Sequence, residues 1–251
     1  DWQLRYLARS GIQKVILCLG HMGEDIEKYV GSGDRYNLEV EYSYDGSKLL
    51  GTGGAIKKAL PLLDKNFFVT YGDTFLPIDY LEVYNTFLKN KEKPIMTIYK
   101  NNNNLDESNV IYENNSLIEY NKSLKKPEME YIDYGLSILN SDIFNNYNEG
   151  INFDLSEVMH DLSIKNQLIG HIIDKRFYEI GSYDGIHDTE LFLEKFWNII
   201  YMSYTEKHLQ ESAKIIELID YNSIEKTIDL LCEVKEKDGR IFFLGVGGSA
   251  A

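Results

Sequence analysis

The sequence predicts an α/β fold, and three observations carry that prediction. Apolar runs of strand length alternate with stretches of helical spacing through the first four-fifths of the chain. Several of the runs end in glycine next to a polar or acidic residue, the usual edge of an open sheet. Near residue 199 the alternation stops and helical spacing continues alone. The alternation implies an open, mostly parallel sheet with helices on its faces and ligands at the carboxyl ends of its strands.

Trp2-Gln3-Leu4-Arg5-Tyr6-Leu7 reads as an amphipathic helix. The apolar run over 14–19 predicts a parallel strand covered on both faces. Gly20-His21-Met22-Gly23 leads into a helix with Ile26, Tyr29 and Val30 on one side. A strand is expected over 38–43, a glycine-opened helix over 52–60 stopped near Pro61, and a buried strand over 66–71 ending in Gly72-Asp73. A helix over 79–90, a strand over 94–99 and a loop at 101–104 follow. Short strands at 110–112, 117–120 and 131–139 suggest an antiparallel excursion. The first domain closes with a helix over 156–164, strands over 168–173 and 177–180, and a helix over 184–197. Beyond it, Leu209, Ile216 and Ile219, then Ile224, Ile228 and Leu231, predict two helices, with Asn222 and Glu225 as a capping pair. The boundary is set at 198/199.

Composition excludes several functions. With 26 basic and 40 acidic residues the net charge is −14, which argues against a nucleic-acid surface. No apolar run reaches the ~18–20 residues of a membrane helix. Two cysteines, Cys18 and Cys232, make neither a disulfide framework nor a zinc cluster and fit a reducing cytoplasm. Against a net charge of −14, a phosphorylated substrate must be met by local cations or a metal ion.

Three places could carry chemistry. In Leu49-Leu50-Gly51-Thr52-Gly53-Gly54-Ala55-Ile56, glycines let the backbone approach a flat ligand and the following helix offers free N–H groups; a tight strand-to-helix turn explains the same residues. Asp73, after Tyr71-Gly72 at a strand end, could hold a divalent cation or simply cap the next helix. Glu179, in Phe177-Tyr178-Glu179-Ile180-Gly181-Ser182, is a second strand-end acid, and two such acids suggest a metal site for phosphate chemistry. Lys122 could meet a phosphate, though a surface lysine is usually just solvated.

Taken in order, G-T-G-G-A-I, the strand-end G-D, Tyr120-Asn121-Lys122, Asp133-Tyr134-Gly135, Phe153-Asp154-Leu155 and Y-E-I-G-S resemble the sugar-1-phosphate nucleotidyltransferases over residues 2–198. Within them the chain looks most similar to the D-glycero-D-manno-heptose 1-phosphate guanylyltransferases. The resemblance implies a Rossmann-like, GT-A-like mixed sheet with helices on both faces. It implies nucleotidyl transfer from an NTP, GTP favoured, to a sugar 1-phosphate, with Mg²⁺ as cofactor. It places Gly51, Thr52, Gly53 and Gly54 at the nucleotide, and Asp73 with Glu179 at the metal. It places Lys122 at the sugar phosphate, and Asp133, Tyr134, Gly135 and Glu179 around the sugar. Asn121 and Glu179 stand where many relatives carry Glu and Asp.

The tail, from Tyr204-Thr205-Glu206 to Gly245-Val246-Gly247-Gly248-Ser249, resembles the opening of a phosphosugar isomerase (SIS) domain, in which Ser249 would bind a sugar phosphate. By these resemblances the chain is expected to be a fragment cut at both ends, lacking the family's first strand and glycine-rich loop, and inactive as it stands. The intact protein is expected to be a homo-oligomer. A non-catalytic sugar-nucleotide-binding module is the competing expectation.

Overall fold

A computed structural model describes residues 1–101, 106–200 and 220–237, with single positions and one triplet between 209 and 218. The chain divides into two compact units, residues 1–190 and 191–251.

The first unit is built on a ten-residue strand, β8 (Tyr131–Asn140). One of its edges takes β5 (Ile95–Lys100) along its length. The other takes β3 (Asn66–Thr70) at its far half and β6 (Val110–Glu113) at its start. β7 (Ser116–Tyr120) extends the sheet beyond β6, and β9 (Ile169–Ile173) extends it beyond β5. Only β5 and β9 run parallel; every other pairing in this six-stranded sheet is antiparallel. The mostly parallel sheet read from the alternation is therefore a mixed one. The 131–139 strand is no excursion but the centre of the sheet. β1 (Lys14–Leu19) and β2 (Glu39–Tyr44) form a separate parallel pair. Nor is β1 covered on both faces, since Cys18 is exposed.

A bulge interrupts the β5–β8 ladder between Met96 and Ile98. There the fully buried Thr97 hydroxyl donates to Leu136 O at 2.7 Å and accepts from Leu136 N–H at 3.2 Å. A side chain thus completes the ladder where the register shifts.

Strand periodicity sorts β8 into two faces. Tyr134, Leu136 and Ile138 point into a core with Leu4 and Leu7 of α1 (Trp2–Arg9) and Val83 and Phe87 of α4 (Tyr80–Lys89). On the opposite face, Leu139 joins Phe67, Met96 and Ile98 beneath α3 (Gly51–Ala59) and α5 (Leu155–Ile164). Helices on both faces are thus observed. Tyr134, expected in the sugar pocket, is instead packed edge-on against Phe177 and almost completely buried, because it points away from the face that carries Asp133.

The helix caps follow from sequence. Asp79 caps α4, accepting from Leu81 N–H at 2.9 Å. Asp154 caps α5 in a reciprocal box with Glu157. α2 (Gly23–Val30) lies between β1 and β2 in the chain, and α6 spans Tyr183–Ile200. In the second unit α7 (Tyr221–Glu236) is capped by Asp220, not by Asn222: the Asp220 carboxylate accepts from Asn222 N–H at 3.0 Å. Ile224, Ile228 and Leu231 of α7 are exposed. Among the described residues, no helix is long and apolar enough to cross a membrane. The expected strand over 241–244, the glycine turn and Ser249 lie outside the described residues.

Candidate active site

The amino-terminal ends of α3 and α5 are locked together. Phe153 N–H donates to Leu50 O at 3.0 Å, and Gly53 and Gly54 N–H both donate to Phe153 O, at 3.1 and 3.2 Å. Leu155 N–H donates to the Thr52 hydroxyl oxygen at 2.8 Å. Gly51 has φ +72°, and a Cβ at Gly53 would lie 2.4 Å from the Phe153 ring. The glycines are therefore demanded by the close approach of residues 151–154, and two of the amides expected to face a ligand are already engaged. Thr52 remains at the surface.

Next to this junction lie Tyr71, Tyr120, Lys122, Asp133 and Asp154. The Tyr71 phenol is pushed up, first by burial and then by the charges of Asp133, Asp154 and Asp73. Tyr120 responds in the same way to burial, Asp133, Tyr71 and Asp154. Asp133 is partly buried. Burial pushes its carboxyl up to about 6, against the opposing pull of the Gly135 N–H, which donates to it at 3.0 Å, and of the Lys122 charge. Burial acts on Asp154 in the same sense. There the Ser156 hydroxyl and N–H, the Lys122 charge and the Thr52 hydroxyl outweigh it, and the carboxyl is held low. Lys122 itself is exposed, so its charge is open to a ligand as well as to these two acids.

α5 also fixes the strand that leads to Lys122. His160 Nδ1 bonds Tyr120 O at 2.7 Å, and Tyr120 N–H donates to the Ser163 hydroxyl at 3.0 Å. Because β7 is an edge strand, these side chains satisfy backbone groups that no neighbouring strand reaches.

The two acids read as strand ends are brought together. β10 (Tyr178–Glu179) pairs antiparallel with β4 (Thr74–Phe75), setting Glu179 opposite Thr74. Ile180 N–H donates to Asp73 O at 3.0 Å. Asp73 does not cap the following helix, whose cap is Asp79. Its exposed carboxylate accepts from the Thr74 hydroxyl at 3.1 Å. The Glu179 carboxylate accepts from Gly181 N–H at 3.0 Å and the Ser182 hydroxyl at 3.3 Å. Each carboxylate oxygen keeps a further lone pair, and hard oxygen donors of this kind suit Mg²⁺. Among the described residues no cluster of three or more His, Cys, Asp and Glu side chains forms a ready-made metal cage. A metal bound here would complete its shell with substrate oxygens or water.

No family model matches the chain. It is 30% identical over 183 residues to the D-glycero-alpha-D-manno-heptose 1-phosphate guanylyltransferase of Campylobacter jejuni, covering 72% of this chain and 79% of that protein. The chain belongs to the sugar-1-phosphate nucleotidyltransferases. An enzyme of the same description from Aneurinibacillus thermoaerophilus is 28% identical, covering 71% of this chain and 77% of its own length. The solved structure of HddC from Yersinia pseudotuberculosis complexed with GMP-PN shares the fold, with a TM-score of 0.61 at 21% identity over 78% of this chain and 84% of that one. The substrates of this nucleotidyltransferase are thus an NTP and a sugar 1-phosphate.

Of the residues singled out in the sequence, Thr52, Lys122 and Asp133 converge on one side of the sheet, Asp73 is within electrostatic reach of Tyr71 there, and Glu179 adjoins Asp73. Tyr71, Tyr120 and Asp154 were not given roles by sequence reasoning. Asp154 left a signal, since an Asp three residues before Glu157 spells a helix-capping pair. The two tyrosines left none, because nothing in a strand sequence tells which buried phenol will face a carboxylate.

Proposed function

We propose that this nucleotidyltransferase takes GTP and a heptose 1-phosphate and releases pyrophosphate and a GDP-heptose. The observation that carries the reading is the meeting of Lys122, Asp133 and Asp154 beside the Thr52 junction. The preference for guanine and heptose is supported by the two guanylyltransferases that match most of the chain.

An oxygen of the sugar phosphate attacks the α-phosphorus of GTP in line, and the bond to the β-phosphate oxygen breaks as pyrophosphate leaves. Little covalent work falls to the protein, so positioning and charge neutralisation supply the rate. Lys122 holds the sugar phosphate. Asp133, ionised above about pH 6, accepts hydrogen bonds from sugar hydroxyls. Thr52, with the Gly51, Gly53 and Gly54 turn behind it, meets the nucleotide. Gly135 keeps Asp133 in place through its N–H. Asp73 and Glu179 would hold Mg²⁺, which when bound neutralises phosphate charge in a chain whose net charge is −14. Glu179 also borders the sugar. Residues 199–251, including Ser249, are proposed as a phosphosugar isomerase-like segment, on the motifs quoted above, and the protein is proposed to work in the cytoplasm as a homo-oligomer.

The test is a pyrophosphate-release assay crossing the four NTPs with heptose, mannose and glucose 1-phosphates in the full-length gene product. GTP with heptose 1-phosphate is expected to give the highest kcat/KM, and Asp73→Ala to remove most of it while leaving the circular dichroism spectrum unchanged. Equal turnover across sugars, or full turnover in Asp73→Ala, contradicts the reading.

A further inference from the structure

We propose that Gln3 is a positioning residue for Asp73, an inference that rests on the reading of Asp73 as a metal-holding carboxylate. Gln3 stands on α1, remote in sequence from the site. Its side-chain nitrogen donates to Tyr71 O at 2.7 Å and to Thr74 O at 2.8 Å. An amide nitrogen carries two hydrogens, and both are engaged.

Tyr71 and Thr74 bracket Gly72-Asp73, so one side chain ties together the two ends of the turn that presents the carboxylate. Two carbonyl oxygens converging on one point repel each other unless a donor lies between them. Packing does not replace that donor: Gly72 is exposed, and no atom lies within 4 Å of where its Cβ would be. From the other side Ile180 N–H donates to Asp73 O at 3.0 Å, and the β4–β10 pairing fixes Thr74 opposite Glu179. The turn is therefore held between β10 and α1, with Gln3 supplying the α1 side. Removing the donor frees the two carbonyls to part, and the Asp73 carboxylate moves with them relative to Glu179.

Tyr6 provides a control on the same helix, because its hydroxyl donates at 2.9 Å to Ile78 O, a carbonyl outside the 71–74 turn. Mn²⁺ serves as the probe, titrated into the full-length protein and followed by electron paramagnetic resonance of the free ion. Gln3→Glu and Gln3→Met keep the side-chain length and remove the N–H groups. Both are expected to weaken Mn²⁺ binding ~10-fold or more, the usual effect of losing a group that orients a metal ligand. Gln3→Lys, which restores donors, is expected to recover part of the affinity, and Tyr6→Phe to leave it unchanged.

Wild-type Mn²⁺ affinity in Gln3→Glu and Gln3→Met, with Asp73→Ala abolishing binding, overturns the role of Gln3 alone. An equal loss in Tyr6→Phe also overturns it, since the docking of α1 would then be the cause. Should the first two variants fail to fold, Gln3→Lys decides: a folded variant without any recovered affinity counts against the proposal. If Asp73→Ala binds Mn²⁺ as the wild type does, the metal reading itself falls and this inference with it.

Discussion

Replacing Asp133 with Asn is expected to make the protein more stable and less active at once. Burial pushes the Asp133 carboxyl from 3.8 to about 6, and the Gly135 N–H and the Lys122 charge offset this only in part. Each pKa unit corresponds to about 1.4 kcal/mol, so carrying this charge in the folded state costs about 3 kcal/mol at most. The folded value lies above the unfolded one. The stability associated with the neutral form is therefore fully present below about pH 4 and is lost as pH rises through about 6. Asn keeps an oxygen to accept from Gly135 N–H and carries no charge. Urea unfolding followed by circular dichroism should show Asp133→Asn more stable than wild type at pH 7.5, by about 1–3 kcal/mol. The two curves should converge below pH 4. In the same variant kcat/KM for the sugar phosphate should fall. A variant less stable than wild type at pH 7.5, or a stability difference that does not change with pH, refutes the reasoning.

Lys122→Met should raise KM for the sugar 1-phosphate ~10-fold or more while changing KM for the nucleotide little, as measured by initial rates. Gly53→Ala should destabilise the fold by about 1–3 kcal/mol in thermal or urea unfolding, because its methyl group meets the Phe153 ring at 2.4 Å. Ile228→Glu, on the exposed apolar side of α7, should lower the mass seen by light scattering if that side mediates self-association; an unchanged mass would place the contact elsewhere.

Element type was legible wherever the apolar pattern was long and clean. The helix over 79–90 is observed as α4, and Phe153-Asp154-Leu155 announces α5 through its cap. Sheet direction was not legible. Strand alternation says that a face is buried but not which way its neighbour runs, and β8 pairs antiparallel with residues far from it in sequence. The site was legible in part for the same reason. Asp73, Lys122, Asp133 and Glu179 are chemically conspicuous at strand ends. The partners that shape them come from distant elements: Gln3 from α1, Phe153 from the α5 entry, Tyr71 and Tyr120 from strand ends across the sheet. The glycines of the 51–54 turn show the converse case. Their number fitted either a ligand pressed against the backbone or a tight turn, and the atoms nearest to them belong to residues 151–154 of the same chain.

The most direct measurement is a crystal structure of the full-length protein with Mn²⁺ and GDP-sugar, using the anomalous signal to place the ion. The assignment of these site residues requires an anomalous peak shared by the Asp73 and Glu179 carboxylates, with the sugar-linked phosphate at Lys122 and a sugar hydroxyl on Asp133. A peak away from both acids, or a ligand seated elsewhere in the molecule, contradicts it.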